Sequence, residues 1–175
     1  AAEHLLGLGH RRIAYVTGTP NHSDDRERLA GYRQALDGAG VPREESLIVP
    51  GTGRADGATR VLERLLALRP VPTAAFCYND MTAIGLLWAA RQAGLETPRD
   101  LAIVGFDDIP FASYVFPALT TVAQPMFEMG QRAVEAALAQ PGASEESAAV
   151  RARIALKGHL IVRESTGPCE PVAVS

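Results

Sequence analysis

The stretch AIVGFDDIPFASYVFPALTTV, residues 102–122, opens on an apolar strand that begins at Leu101 and runs into Gly105 and Phe106. It then releases two adjacent carboxylates, Asp107 and Asp108. Two acids where a buried strand emerges have four ordinary uses: holding a metal ion, acting as acid and base, accepting hydrogen bonds from a polar ligand, or capping the next turn. Outward from this strand, RIAYVTG (12–18), SLIVPG (46–51) and TAAFCYND (73–80) are also apolar almost throughout. Between them lie segments with a helical period. RERLAGYRQALDGAG (26–40) places Leu29, Tyr32, Ala35 and Leu36 on one face, and DGATRVLERLLAL (56–68) does the same with Val61, Leu62, Leu65 and Leu66. In MTAIGLLWAARQAG (81–94), Leu87 and Trp88 are expected in the core. Strands apolar on both faces and alternating with helices predict an α/β fold, a three-layer αβα parallel sheet.

After residue 117 the rhythm changes. ALTTVAQP (118–125) reads as extended, MFEMGQRAVEAALAQ (126–140) as an amphipathic helix and PGASEESAAV (141–150) as a loop. RARIALKGHLIVRES (151–165) holds two β runs, Ile154 to Leu156 and Leu160 to Val162, and suggests a hairpin around Lys157–Gly158.

Bulk properties narrow the function. The 175 residues are enough to bury a core as one domain or two small lobes. A net charge of −3 argues against this stretch being a nucleic-acid-binding module itself, since such modules carry a basic face. No apolar run approaches the ~20 residues of a membrane span. The opening AAEHLLGLGHRR puts basic residues after the apolar part, the reverse of a secretory signal, and starts in mid-period without a cap, which reads as a truncation. Cys77, in an apolar strand, and Cys169, in a Pro-rich tail, predict no disulfide and fit a reducing cytoplasm. His4, His10, His22 and His159 lack paired-ligand spacing, so neither a metal site nor a cofactor is expected. GTGRADG (51–57) has the spacing G-x-G-x-x-x-G with no P-loop lysine, and no G-x-S-x-G elbow or Cys–His pairing occurs.

In open parallel sheets ligands bind beyond the carboxyl ends of the strands. Here those ends are Thr17–Gly18–Thr19–Pro20–Asn21, Pro50–Gly51–Thr52, Tyr78–Asn79–Asp80 and Phe106–Asp107–Asp108, with Arg26 and Arg28 following the first. An amide, carboxylates and an arginine around one crevice suit a polyhydroxylated ligand, because carboxylates accept from hydroxyls while Arg and Asn donate to oxygens. Each group also has a structural use. Asn79 or Asp80 fits as a helix N-cap, Asp24 with Glu27 as a capping box, Asp108 as a cap of the turn at Ile109–Pro110, and Arg26 as a solvated charge.

Taken in order, HLLGLGHRRIAYVTG, RLAGYRQAL, RPVPTAAFCYNDMTAIGLL, GLETPRDLAIVGFDDI, PALTTVAQPMFEMGQRAV and LIVREST resemble the effector-binding domain of the LacI/GalR family of bacterial transcription regulators. The resemblance implies a periplasmic-binding-protein type I-like architecture of two lobes with a small ligand in the cleft. It matches Arg28, Asn79 and Asp107 to the family's ligand-binding positions and leaves Asp108 to hold the turn. Thr52 stands in the loop where family members often carry a stacking aromatic, and Phe106 is the candidate apolar wall instead. The C-terminal lobe is expected over 17–121 and 153–170, with 1–16 and 122–152 a remnant of the N-terminal lobe and the helix-turn-helix absent. Within PFASYVFP (110–117), Phe111, Tyr114, Val115 and Phe116 are the expected homodimer interface.

The implied function is a non-catalytic, cytoplasmic effector sensor. It would bind a sugar or related metabolite and control operator binding through the missing N-terminal segment. Two alternatives stand beside it. A periplasmic sugar-binding protein of the same fold would need a signal peptide upstream. A Mg²⁺-dependent phosphoacceptor or enzyme would use Asp107 and Asp108, and the single lysine, Lys157, counts against it.

Overall fold

The computed structural model describes residues 1–19, 23–138 and 155–169. Pro20, Asn21 and His22, the expected loop 141–150 and the start of the β run at Ile154 lie outside the described residues. Four parallel strands, β1 (Ile13–Val16), β2 (Ile48–Val49), β3 (Ala74–Cys77) and β4 (Ala102–Val104), form one sheet in the order β2-β1-β3-β4. Apolar side chains alternate between its faces, as the two-residue period of a strand requires. Ala14, Val16, Ala75, Cys77 and Ile103 pack with α3 (Ala58–Ala67) and α4 (Asp80–Gln92). Ile13, Tyr15, Ala74, Phe76 and Val104 pack with α1 (Ala2–Gly7) and α2 (Ser23–Gly38). This is the predicted three-layer αβα sandwich.

The division expected at residue 16 is not a break in the structure. β1 is an inner strand, paired with both β2 and β3, and Leu5 and Leu6 of α1 share a core with Tyr32 and Leu36 of α2. An inner strand cannot be detached from its sheet without stranding its backbone donors and acceptors, so α1 and β1 belong with the lobe that follows them.

α4 corrects a second expectation. It packs through Ala83, Leu86, Leu87 and Ala90, and Trp88, one 100° step beyond Leu87, emerges on the outer face at 60% exposure. β5 (Thr121–Ala123) pairs antiparallel with β6 (His159–Ile161), and among the described residues no strand precedes Lys157–Gly158 to form the first arm of the expected hairpin. Gly158 approaches the Ala123 carbonyl so closely that a Cβ would stand 2.7 Å from it, which docks the segment on β5 instead of folding it on itself. Between β5 and β6 in the sequence lies α5 (Met126–Leu138), amphipathic as predicted but with every residue exposed, Phe127 and Leu138 included.

Beyond β6 the chain returns to the main sheet. Ile103 N–H donates to the Ser165 carbonyl (2.8 Å), and the Ser165 hydroxyl donates to the Ile103 carbonyl (2.6 Å). Buried His10 clamps the same tail: its Nε2 donates to the Gly167 carbonyl (3.1 Å), which leaves Nδ1 to accept from the Thr73 hydroxyl (2.9 Å). Cys77 is a buried free thiol. No described helix is long and apolar enough to cross a membrane.

Candidate ligand cleft

From β1 the chain passes to β2 on one side of the sheet and returns to β3 on the other, so the connections after β1 and β3 diverge. Such a switch point opens a crevice at the carboxyl ends of the strands. Arg28, a turn into α2, fills it. Its Nη1 donates to the Tyr78 carbonyl (2.5 Å), and its guanidinium carbon lies 4.6 Å from the Tyr78 ring centroid and 4.0 Å from that of Phe106. Nη2 stands 3.6 Å from Asp24, one turn earlier on α2, and 3.7 Å from Asp107. The arginine is therefore fixed by two rings, a carbonyl and two flanking carboxylates, with its N–H edge between the acids.

Asp107 and Asp108 take φ of 122° and 55°, left-handed conformations that cost non-glycine residues roughly 1–3 kcal/mol each. A web of hydrogen bonds from three segments sustains them. Asp107 N–H donates to the Val122 carbonyl (2.9 Å), and Gln124 Nε2 donates to Asp107 Oδ1 (2.6 Å). Asp108 Oδ1 accepts from Arg163 Nη2 (2.7 Å), and Arg163 also donates to the Leu119 carbonyl. The Ile109 amide goes to Asp80 Oδ2 (2.9 Å), not to Asp108, and Thr121 donates its hydroxyl to Asp80 Oδ1 (2.5 Å). Asp108 thus holds the turn, as expected, by an ion pair instead of a cap. The opening pair of carboxylates diverges, one into the crevice and one to Arg163. Among the described residues no three His, Cys, Asp or Glu side chains are grouped to hold a metal ion.

Burial raises the Asp107 carboxyl above its usual range, against the pull of Arg28 and the Gln124 hydrogen bond. Asp24 is also pushed up by burial, but the Tyr78 hydroxyl, Arg28 and nearby backbone N–H groups bring it below its usual value. Fully buried Asp80 is raised by desolvation, which its hydrogen bonds from Thr121 and Ile109 only partly offset.

The other expected site residues divide. Phe106 is the apolar wall over Arg28, and grooves of about 730 and 640 Å³ meet at it. Asn79 caps α4: its Oδ1 accepts from the Thr82 amide (2.9 Å) and hydroxyl (2.8 Å), and its Nδ2 donates to the Gly53 carbonyl (2.9 Å). One amide hydrogen stays outside the described contacts. Asp80 is the first helical residue, not the cap. Thr52 lines a separate groove over α3 with Asp56, Arg60 and Arg64. Arg26 is an exposed charge.

Three further residues join the cleft: Tyr78, which the sequence named only as part of a strand end, Asp24, which it read as a cap, and Gln124, which it did not single out. Tyr78 donates its hydroxyl to Asp24 Oδ2 (2.5 Å). An aromatic at the carboxyl end of β3, facing a glycine at the end of β1, was the available signal.

The fold is thus a doubly wound α/β lobe with an arginine held between two carboxylates at its switch point, the acid pair of the β4 turn being split. Residues 2–166 match the model of the periplasmic binding protein-like domain, and the chain belongs to that family, in the form carried by LacI-type regulators. The HTH-type transcriptional regulator DegA of Bacillus subtilis (strain 168) is 40% identical over 169 residues, 96% of this chain and 49% of that protein. The transcriptional regulator CelR–cellobiose complex superposes with a TM-score of 0.82 at 33% identity, covering 94% of this chain and 50% of that one. A LacI family transcriptional regulator from Enterococcus faecium with bound ribose gives 0.80 at 31% identity, covering 97% and 61%. These relatives are regulators, not enzymes, and the chain spans about half the length of the curated relatives it matches.

Proposed function

We propose that this chain is the effector-sensing part of a cytoplasmic LacI-type regulator, binding a small polar ligand, a sugar or related metabolite, against the clasp of Arg28 and Asp107. The observation that carries this reading is the restraint on Arg28. Side-chain entropy is already lost before a ligand arrives, and the N–H edge is presented beside acceptors, the pairing that hydroxyl groups satisfy. Phe106 supplies the apolar wall, and Asn79 acts chiefly by holding the Gly53 loop. Residues 122–152, with the uncovered helix α5, belong in this reading to a second lobe that closes over the ligand. A ligand that binds one lobe arrangement better than the other shifts operator binding by its differential affinity.

The partner surface in this reading is a second copy of the protein. Phe111, Tyr114 and Phe116 are 68%, 82% and 78% exposed, and Trp88 adds an exposed indole. Val115, partly buried against the core, anchors the same turn.

The test is thermal melting of the protein, at the length of its relatives, against neutral sugars, nucleosides and Mg²⁺. A ligand at 100 times its Kd adds about 2.7 kcal/mol of stability. The expected result is a shift with one small polyol that disappears in Arg28→Ala and Asp107→Ala. A shift with Mg²⁺ alone, kept in Arg28→Ala, refutes the reading.

A further inference from the structure

The ring of Tyr78 spans the gap between the loops after β1 and β2. A Cβ on Gly18 would stand 2.6 Å from its Cδ1, and one on Gly53 3.5 Å from its Cε1, so the ring occupies the space that two glycines leave empty. Its hydroxyl reaches Asp24 on α2 and closes the far side. Neither groove that meets at Phe106 includes Tyr78, Gly18 or Gly53 among its walls. Both grooves reach Phe106 and Val122, while the Tyr78 ring stands on the other side, between the loops that carry Gly18 and Gly53 and so toward Thr52. Two rings lie against the Arg28 guanidinium, at 4.6 and 4.0 Å. The clasp itself sets one cation against two carboxylates at 3.6 and 3.7 Å, which disfavours an anionic group at that point. The cations Arg132 and Lys157 border the groove beyond Gln124, and Arg132 is paired with Glu135 at 3.3 Å.

The geometry points to Tyr78 as the specificity-determining residue of the cleft, limiting its ligand to a single neutral hydroxylated ring, with no second ring toward Thr52 and no carboxylate in the clasp. This rests on the ligand-binding role of Arg28 and Asp107 proposed above. Its test is isothermal titration of the protein, at the length of its relatives, with a panel of neutral pentoses and hexoses, the matching uronic acids, and disaccharides such as cellobiose and maltose. The wild type is expected to bind one neutral monosaccharide more than about tenfold tighter than the matching uronic acid, since like-charge contact costs several kcal/mol, and similarly tighter than any disaccharide that extends it. Tyr78→Ala or Tyr78→Leu should narrow the disaccharide gap, a gain of binding that lost stability does not produce. Tyr78→Phe, which keeps the ring and drops only the Asp24 bond, should preserve it. A wild type that takes a disaccharide or uronate as well as the monosaccharide overturns the inference and leaves the sensor reading intact. A gap unchanged in both smaller variants does the same. A wild type that binds no sugar overturns this inference, and the sensor reading then rests on the melting panel with nucleosides and Mg²⁺.

Discussion

Gly18→Ala probes the architecture of the cleft without touching any polar group. The new methyl would sit 2.6–2.8 Å from Cγ, Cδ1 and Cε1 of Tyr78, and those atoms belong to the rigid base of the ring, not to the end of a flexible chain. Either the ring swings away or the loop after β1 retreats from β3. Overpacking of this kind costs roughly 1–3 kcal/mol. At ~2–4 °C per kcal/mol for a chain of this size, Tm should fall by roughly 2–12 °C. Displacing the ring also strips Arg28 of one aromatic face, a contact of about 0.5–1 kcal/mol, and separates Tyr78 from Asp24, a hydrogen bond of about 1 kcal/mol. Urea denaturation of Gly18→Ala, Tyr78→Ala and the double variant isolates the clash. With the ring gone the methyl enters vacant space, so the double variant should be no less stable than Tyr78→Ala alone. The cycle should then give a coupling of about 1–3 kcal/mol. Costs that add to within about 0.5 kcal/mol would refute the placement of the ring over Gly18, and the steric argument for ligand size would go with it.

Other consequences are equally direct. Asp108→Ala leaves Arg163 three-quarters or more covered without its carboxylate partner, and should cost about 1.5–3 kcal/mol by denaturant unfolding. Asp108→Ala combined with Arg163→Ala should lose less than the sum of the two. Burial lowers the His10 pKa, with the Gly167 carbonyl pulling the other way. The folded state therefore resists protonation that the unfolded chain accepts at about 6.5, and the His10 contribution is full above that pH and declines as pH falls below it. The difference in Tm between wild type and His10→Gln should accordingly shrink on acidification from pH 7.5 to 5.5. If Trp88 and Phe116 form the surface between copies, Trp88→Glu with Phe116→Glu should give a monomer by sedimentation at unchanged Tm of the monomeric unit; a dimer that persists rejects that surface.

The fold class was legible because the sheet is buried on both faces, and near-continuous apolar runs such as AIV and AAFC leave no other assignment. Phe106 and Asp107 could be placed on the rim because order along the chain puts every strand end on one edge, whereas Arg28, inside α2, was singled out by the family resemblance. What failed had a common physical cause. Trp88 lies within an unbroken apolar run of α4, LLWAA, where helical period cannot tell the inner from the outer face. β1 reads alike whether it sits at a lobe boundary or at the centre of a sheet, because strand order is set by crossovers that leave no local mark. The partners of β5 and β6 lie far apart in sequence, and only the close approach of Gly158 to Ala123 betrays them. Asn79 showed both its possible uses in the sequence, and the choice between cap and ligand donor needed the position of Gly53.

The carboxylate that faces the crevice is held almost wholly by segments outside its own strand. The Asp107 amide is tied to Val122 and its side chain to Gln124; the next residue is tied to Arg163, and Asp80 beneath the turn to Thr121. Val122 and Gln124 lie on or beside β5, which leads directly into α5, and Arg163 follows β6, the strand that pairs with β5. The turn also carries two residues with positive φ, so it keeps its shape only while those bonds persist. A ligand hydroxyl that donates to Asp107 shares that carboxylate with Gln124, and in the proposed reading it loads the strand from which the uncovered helix departs. In the proposed reading ligand contact and the β5–β6 pairing form one mechanical unit, and substitution of Gln124 should alter the response to ligand even though Arg28 and Asp107 remain in place.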